Sequence, residues 1–213
     1  MTEGSRQPRR KGRPRSHDVD AALISAALAE FTEHGFHQMR MESIASRAGV
    51  SKVSLYRRWA SKRAVAGDVL RLLSQTRPLA DHGSLKADVQ ALVTESIGSA
   101  AARANATIVM RTMGEISSDP DLLALYRTHL LTPRLGQLRT VAGRARDRGE
   151  LREDIDTDVA CAAIAGPIFI YHLALLTDAG RLPDDPAAIT DAILAGIARR
   201  PDHVTSRTSR EPG

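Results

Sequence analysis

Four residues in the amino-terminal third, Ala48-Gly49-Val50-Ser51, constrain this chain more than any others. They separate two short stretches of helical spacing and leave room only for a tight turn. Upstream, Ile44, Ala45 and Ala48 fall at i, i+1 and i+4, so they share one face of a short helix. Gly49 stops that helix, because a residue without Cβ enters the left-handed region at little cost. Val50 is an apolar plug beyond the stop, and Ser51 is a favourable N-cap for the next helix. There Leu55 and Trp59 make an i, i+4 pair predicted to face Ile44 and Val50. Lys52, Val53, Ser54, Tyr56, Arg57 and Arg58 remain outside: cations, a hydroxyl and an aromatic ring, with no carboxylate. Residues 39–65 therefore read as a helix-turn-helix and the start of a longer helix.

Charge is segregated in the same direction. The 213 residues carry a formal net charge of +5. Residues 1–65 hold 13 Lys plus Arg against 6 Asp plus Glu, a net +7, and the remainder holds 17 against 19, a net −2. A basic excess confined to the helix-turn-helix end is the footprint of a phosphate-binding module on a near-neutral body. Residues 1–16, rich in Pro, Gly and Arg, are predicted to be a disordered basic arm. Within it Arg9-Arg10-Lys11-Gly12-Arg13-Pro14-Arg15 resembles an AT-hook core, in which Arg13 would enter the narrow, strongly negative minor groove. The alternative is a basic tail that adds only non-specific affinity.

The window also resembles the DNA-binding motif of the TetR (tetracycline-repressor-like) family. Its matching positions are Ile44-Ala45, Ala48-Gly49-Val50-Ser51, Leu55-Tyr56, Trp59 and Ser61-Lys62. Tyr56-Arg57-Arg58-Trp59 is similar to one branch of that family. Members often carry Thr before the apolar residue that opens the first helix of the pair. Here Arg40 precedes Met41, and arginine can reach a phosphate but cannot cap. The resemblance implies a homodimeric, all-α regulator without a cofactor. Its amino-terminal helix-turn-helix would bind a palindromic operator in double-stranded DNA, and a helical carboxy-terminal domain would dimerise and take a small-molecule inducer. Contacts to DNA are expected from Arg13, Arg40, Met41, Ser51, Lys52, Val53, Ser54, Tyr56, Arg57, Ser61 and Lys62. Lys52, Ser54, Tyr56 and Arg57 would make the main recognition contacts, Val53 would meet a thymine methyl, and Arg40, Ser61 and Lys62 would hold phosphates.

The rest of the chain reads as helix, with no strand-period run. A first helix over 17–34 is predicted, capped by Ser16 or Asp18, with Val19, Leu23, Ala26 and Phe31 buried and Gly35 as its stop. A fourth starts at Ser61-Lys62 and runs to about Arg77, its exposed N–H groups suited to phosphate. Further segments are expected over 84–103, 105–117, 119–147, 156–178 and 185–199, with capping carboxylates at Asp119, Asp156 and Asp185. Pro133 must kink or split the third of these. The domains expected are 17–77 for DNA binding and 78–200 for ligand binding and dimerisation, with a disordered tail over 201–213 and no flexible linker.

Residues 160–176 are apolar almost all round, which makes them deep core or interface. Together with 185–199 they resemble the helix pair through which TetR-like proteins dimerise. Gly166, Ile170, Leu173, Ile189, Ile193 and Ile197 are the expected interface. Arg144-x-Arg-x-x-Gly-Glu-Leu-Arg152 with Gly166-Pro167 is similar to the regulatory domain of the Tyr-Arg-Arg-Trp branch. Met110, Met113, Tyr126, His129, Phe169, Tyr171 and His172 are candidate ligand contacts, being soft or aromatic groups with a few polar handles.

Catalysis is not expected. His34-x-x-His37 straddles the Gly35 stop and is no one-face metal pair. Cys161, the single cysteine, sits in an apolar run, and no phosphate loop, dinucleotide fingerprint or nucleophile elbow occurs. The chain shows neither a signal peptide nor a run approaching the ~18 apolar residues of a membrane span. A cytoplasmic protein is the expectation. An architectural DNA-binding protein, dominated by the AT-hook-like arm and lacking a ligand, is the alternative reading.

Overall fold

The computed structural model describes residues 14–74, 79–97, 100–177 and 185–199. Arg13 and the rest of the AT-hook-like stretch before Pro14 lie outside them, as does the expected tail. Among the described residues every named element is helical, and one isolated antiparallel bridge, Leu151 to Ala198, is the extent of β pairing. The chain falls into two compact units. One takes residues 1–75 and 104–133, the other 76–103 and 134–213. Residues 104–133, read from the sequence as part of the carboxy-terminal domain, thus pack with the helix-turn-helix.

The first unit holds α1 (Pro14–Gln38), α2 (Met41–Arg47), α3 (Lys52–Arg58), α4 (Lys62–Ser74), most of α6 (Ala100–Glu115), α7 (Pro120–Tyr126) and a π turn (Arg127–Leu131). α1 begins at Pro14, so Ser16 and Asp18 lie within the helix rather than capping it. Its regular geometry breaks at Gly35, where φ 71 and ψ −177 describe a backbone open essentially to glycine alone. Leu23, Ala27, Phe31, Ile44, Leu55, Trp59, Val65 and Leu70 share a core in which each is almost fully buried. Truncating a side chain such as Leu55 to alanine there costs about 2–5 kcal/mol.

The turn forms as its residues dictate. Gly49 takes φ 66, its N–H donates to the Ser46 carbonyl, and the Val50 N–H donates to the Ala45 carbonyl. That pair of bonds is the Schellman closure. The same closure recurs at Gly149, where the Gly149 and Glu150 amides return to Arg146 and Ala145.

Pro133 acts as its chemistry requires. The long predicted segment divides into α7, the π turn and α8 (Thr132–Asp147). The Thr132 N–H reaches back to Arg127, one residue farther than in an α-helix, which widens the backbone just before a residue without an N–H. Asp119, Asp156 and Asp185 all accept backbone N–H groups at helix starts, as predicted.

The second unit packs α5 (Leu85–Ile97), α8, α9 (Thr157–Thr177) and α10 (Pro186–Ile197) around Val89, Val93, Val141, Ala145, Ala160, Ile164 and Ile193. The Arg144-to-Arg152 motif ties it together. Arg148 bonds Glu150 at 2.9 Å and Asp81 at 3.1 Å, and lies 3.4 Å from the buried Asp88. Glu150 also accepts from the Leu85 amide, and Arg144 donates to the carbonyls of Leu79 and Ala80.

One expectation fails here. The stretch Thr157–Ala174 of α9 is, by length and composition alone, long and apolar enough to cross a membrane. Val159, Ile164, Ile168, Phe169, Ile170 and Leu173 supply most of that hydropathy, with alanines filling the positions between them. Only 22% of it is buried within the protein, so α9 is far from a fully enclosed core helix.

Candidate nucleic-acid interface

α2 starts without its own cap. Arg40 sits at the N-cap position in an extended conformation and makes no side-chain capping bond. Glu30 of α1, 1% exposed, anchors the helix start in another way: it accepts the Arg40 N–H at 3.2 Å and the Ser43 hydroxyl at 2.6 Å. Arg47 bonds both oxygens of Glu33, at 2.8 and 2.6 Å, and lies 3.7 Å from Glu30. The Arg47 guanidinium holds the Glu33 carboxyl below its ordinary pKa. A buried carboxylate on α1 thus ties down the start of α2, which lacks a side-chain cap, and Arg40 stays exposed.

α3 is capped by Ser51, whose hydroxyl accepts the Ser54 N–H at 3.2 Å. Leu55 and Trp59 are buried, as their spacing predicts, and the opposite face is open. Val53 is 78% and Tyr56 46% exposed, an unusual state for large apolar groups, and Lys52 and Arg57 stand exposed beside them. The Lys52 ammonium rests 3.2 Å from Glu42 of α2. Bonds from its own backbone and from Lys52 keep the Glu42 carboxyl below its usual range.

Other predicted contacts are placed differently. Met41 is buried with Ile44 and Ala45, so it supports the core instead of facing DNA. Its spacing, three and four residues before those two, carried that signal. Arg58, which is not among the expected contacts, is a strut: it bonds Asp20 at 2.9 Å and lies 5.0 Å above the Trp59 ring. Trp59 donates its indole N–H to Asp68 at 2.9 Å. Ser61 caps α4 by accepting the Ala64 N–H. The Lys62 ammonium donates to the His37 carbonyl at 2.6 Å and stands 4.9 Å over the Phe36 ring, and burial lowers its pKa.

Sequence reasoning missed the partners that arrive from far along the chain. Glu115, ending α6, accepts from the Phe36 and His37 amides at 2.8 and 3.1 Å. Arg63 of α4 reaches Asp119 at 3.2 Å and Asp121 at 3.0 Å. No local pattern announces pairs separated by 79 residues.

In the second unit the expected dimer residues divide. Ile170 and Leu173 are 53% and 39% exposed, and Gly166 has open space where a Cβ would point. Ile189 is half-buried. Ile193 and Ile197, at 4% and 1%, belong to the unit's own core and cannot face a partner. Their helix is apolar on several sides, so spacing alone did not show which side turns inward. The candidate ligand contacts also separate. Met110, Met113, Tyr126 and His129 lie in the first unit, Phe169, Tyr171 and His172 in the second. Tyr126 and Tyr171 are buried core, and Phe169 is 36% exposed. His172 sits 2.9 Å from the Ser96 carbonyl, which makes its Nε2 the protonated nitrogen. Burial raises the Cys161 thiol pKa, the opposite of what a nucleophile needs.

Comparison with known proteins agrees with this arrangement. The family model for bacterial regulatory proteins of the tetR family matches residues 23–69, and that for the tetracyclin repressor-like C-terminal domain matches residues 79–193. The chain is 34% identical over 170 residues to the HTH-type transcriptional regulator YdeS of Bacillus subtilis, covering 79% of this chain and 85% of that one. It is 30% identical over 181 residues to the DNA-binding transcriptional repressor TetR of Mycobacteroides abscessus, covering 80% and 93%. Among solved structures, a transcriptional regulator from Saccharomonospora viridis in complex with choline shares the fold at a TM-score of 0.67 and 18% identity, over 87% of this chain and all of that one. FadR from Bacillus subtilis in complex with stearoyl-CoA does so at 0.65 and 19%, over 83% and 96%. These relatives are regulators and not enzymes, and the chain is a member of the TetR family of helix-turn-helix transcriptional regulators.

Proposed function

We propose that this protein is a cytoplasmic repressor that binds a palindromic operator as a homodimer and releases it when a small-molecule inducer binds. The observation that carries the reading is the outer face of α3, where Lys52, Val53, Tyr56 and Arg57 are exposed over a fully buried Leu55 and Trp59. A rigid helix presenting cations, an aromatic ring and a branched apolar group suits a major groove, where arginine and lysine meet guanine and an apolar group meets a thymine methyl. Ser51 and Ser54 lie at the amino end of α3, and the exposed Arg40 flanks it as a phosphate contact. Arg13 would add a minor-groove contact from the arm.

One such helix makes few contacts, and a two-fold dimer presents two at a fixed spacing. The exposed Phe169, Ile170 and Leu173 on α9, with Gly166 open beside them, support α9 as the dimer face. Two proteins of the same fold are solved with choline and with stearoyl-CoA, which supports an inducer-responsive second half. Binding there would favour a conformation in which the two α3 helices no longer match the operator spacing.

Fluorescence anisotropy against the DNA flanking its own gene, with random DNA as control at two salt concentrations, tests this. A preference of ~10³ or more for one site is expected. Equal and strongly salt-dependent binding to both DNAs would sink the operator reading.

A further inference from the structure

We propose that Glu115 is a positioning residue for the DNA-binding helices: its carboxylate, seated in the corner between α1 and α2, fixes where α2 begins and hence how α3 is presented. This rests on the DNA-binding reading above.

Three observations meet at that corner. Gly35 has φ 71 and ψ −177, and a Cβ added there would lie 2.7 Å from Glu115 Oε1. The carboxylate therefore fills the space that any other residue at position 35 would need. Its two oxygens then accept from two successive amides, Phe36 at 2.8 Å and His37 at 3.1 Å. Successive backbone N–H groups of this kind form a concavity for an anion, here occupied by a carboxylate from α6. The carbonyl of the same His37 accepts from Lys62, the first residue of α4, at 2.6 Å. One corner residue is thus held by its N–H from α6 and by its carbonyl from α4.

Little slack separates this corner from the interface. The Met39 N–H donates back to the Gly35 carbonyl at 3.1 Å, Met39 and Met41 are both buried, and α2 starts at Met41. A shift of the carboxy-terminal end of α6 is passed to the start of α2, and so to α3, through two charge-assisted bonds.

The experiment compares the full-length protein with Glu115→Ala, Glu115→Gln and Gly35→Ala. It reads amide exchange at Phe36 and His37 by NMR, anisotropy on the preferred flanking DNA and on random DNA, and thermal stability. In Glu115→Ala both amides should exchange at least about tenfold faster, and affinity for the preferred DNA should fall about tenfold with random-DNA affinity unchanged, the loss expected of one or two bonds to a charged group. Glu115→Gln, which keeps one acceptor oxygen, should fall between. Gly35→Ala, which crowds the carboxylate and also strains a backbone open essentially to glycine, should speed exchange at the same two amides and in addition lower the melting temperature. Unchanged exchange rates overturn the proposal, and so does faster exchange with preferred-DNA affinity within about twofold of the parent. A parallel loss on both DNAs together with a lower melting temperature would make Glu115 a stability residue only. A parent protein that prefers no DNA sinks the operator reading and this one with it, and that outcome is visible before any variant is made.

Discussion

Among the helices that leave large apolar side chains in water, α3 and α9 each expose several, and their neighbours differ. On α3, Val53 and Tyr56 lie within one turn of Lys52 and Arg57. On α9, Val159, Phe169, Ile170 and Leu173 are exposed in a stretch that has no Lys, Arg, Asp or Glu from Val159 to Thr177. An apolar group among cations suits a polyanion that also offers methyl groups. A bare apolar strip suits only another apolar surface. Similar exposure therefore supports the proposed DNA face in one case and the proposed dimer face in the other.

Charge placed on the bare strip should have the largest effect. Ile170→Glu would bury an unpaired carboxylate in the proposed dimer, costing about 3 kcal/mol or more. Sedimentation should show monomer with unchanged helix content, and a persistent dimer would remove α9 from the interface. Next, Tyr56→Ala should cost about 1–3 kcal/mol of operator affinity while the dimer stays intact. If it altered dimerisation as well, the two faces would not be separable. Lys52→Met should lower the salt slope of DNA binding by about one. A slope that does not move would mean that Lys52 serves Glu42 alone.

The smallest effect concerns pH. Burial holds the His172 imidazole below its ordinary value of 6.5. As pH falls below that value the unfolded chain takes up the proton first, so stability is full above it and declines toward the lower folded value. His172→Gln should shrink the drop in melting temperature between about pH 7.5 and pH 5.5. An equal drop in both proteins would assign it to other groups.

Much of the first unit was legible because its signals are local. Gly49, Ser51 and the Leu55–Trp59 pair act within one or two turns, and so do Gly35, Asp119 and Pro133. Met41 was legible too, at the spacing shared with Ile44 and Ala45, and was misassigned to the DNA face. The arrangement of α9 and α10 was less accessible. Where a helix is apolar on most sides, spacing groups residues by face but does not say which face meets the protein's own core. Ile193 and Ile197 went inward while Ile170 stayed out for that reason. The polar partners were least legible of all. Glu30, Asp68 and Glu115 look like ordinary surface acids in the sequence, and only the folded chain brings Arg40, Trp59 and Phe36 to them.

Trp59 is the single tryptophan of the chain, 2% exposed, with its indole N–H on Asp68 and a guanidinium above its ring. All indole emission therefore comes from the DNA-binding unit. Excited selectively, it should shift to the red when that unit opens and stay fixed when only the other unit melts. The protein carries a built-in optical reporter through which the order of unfolding of its two halves can be timed without a label.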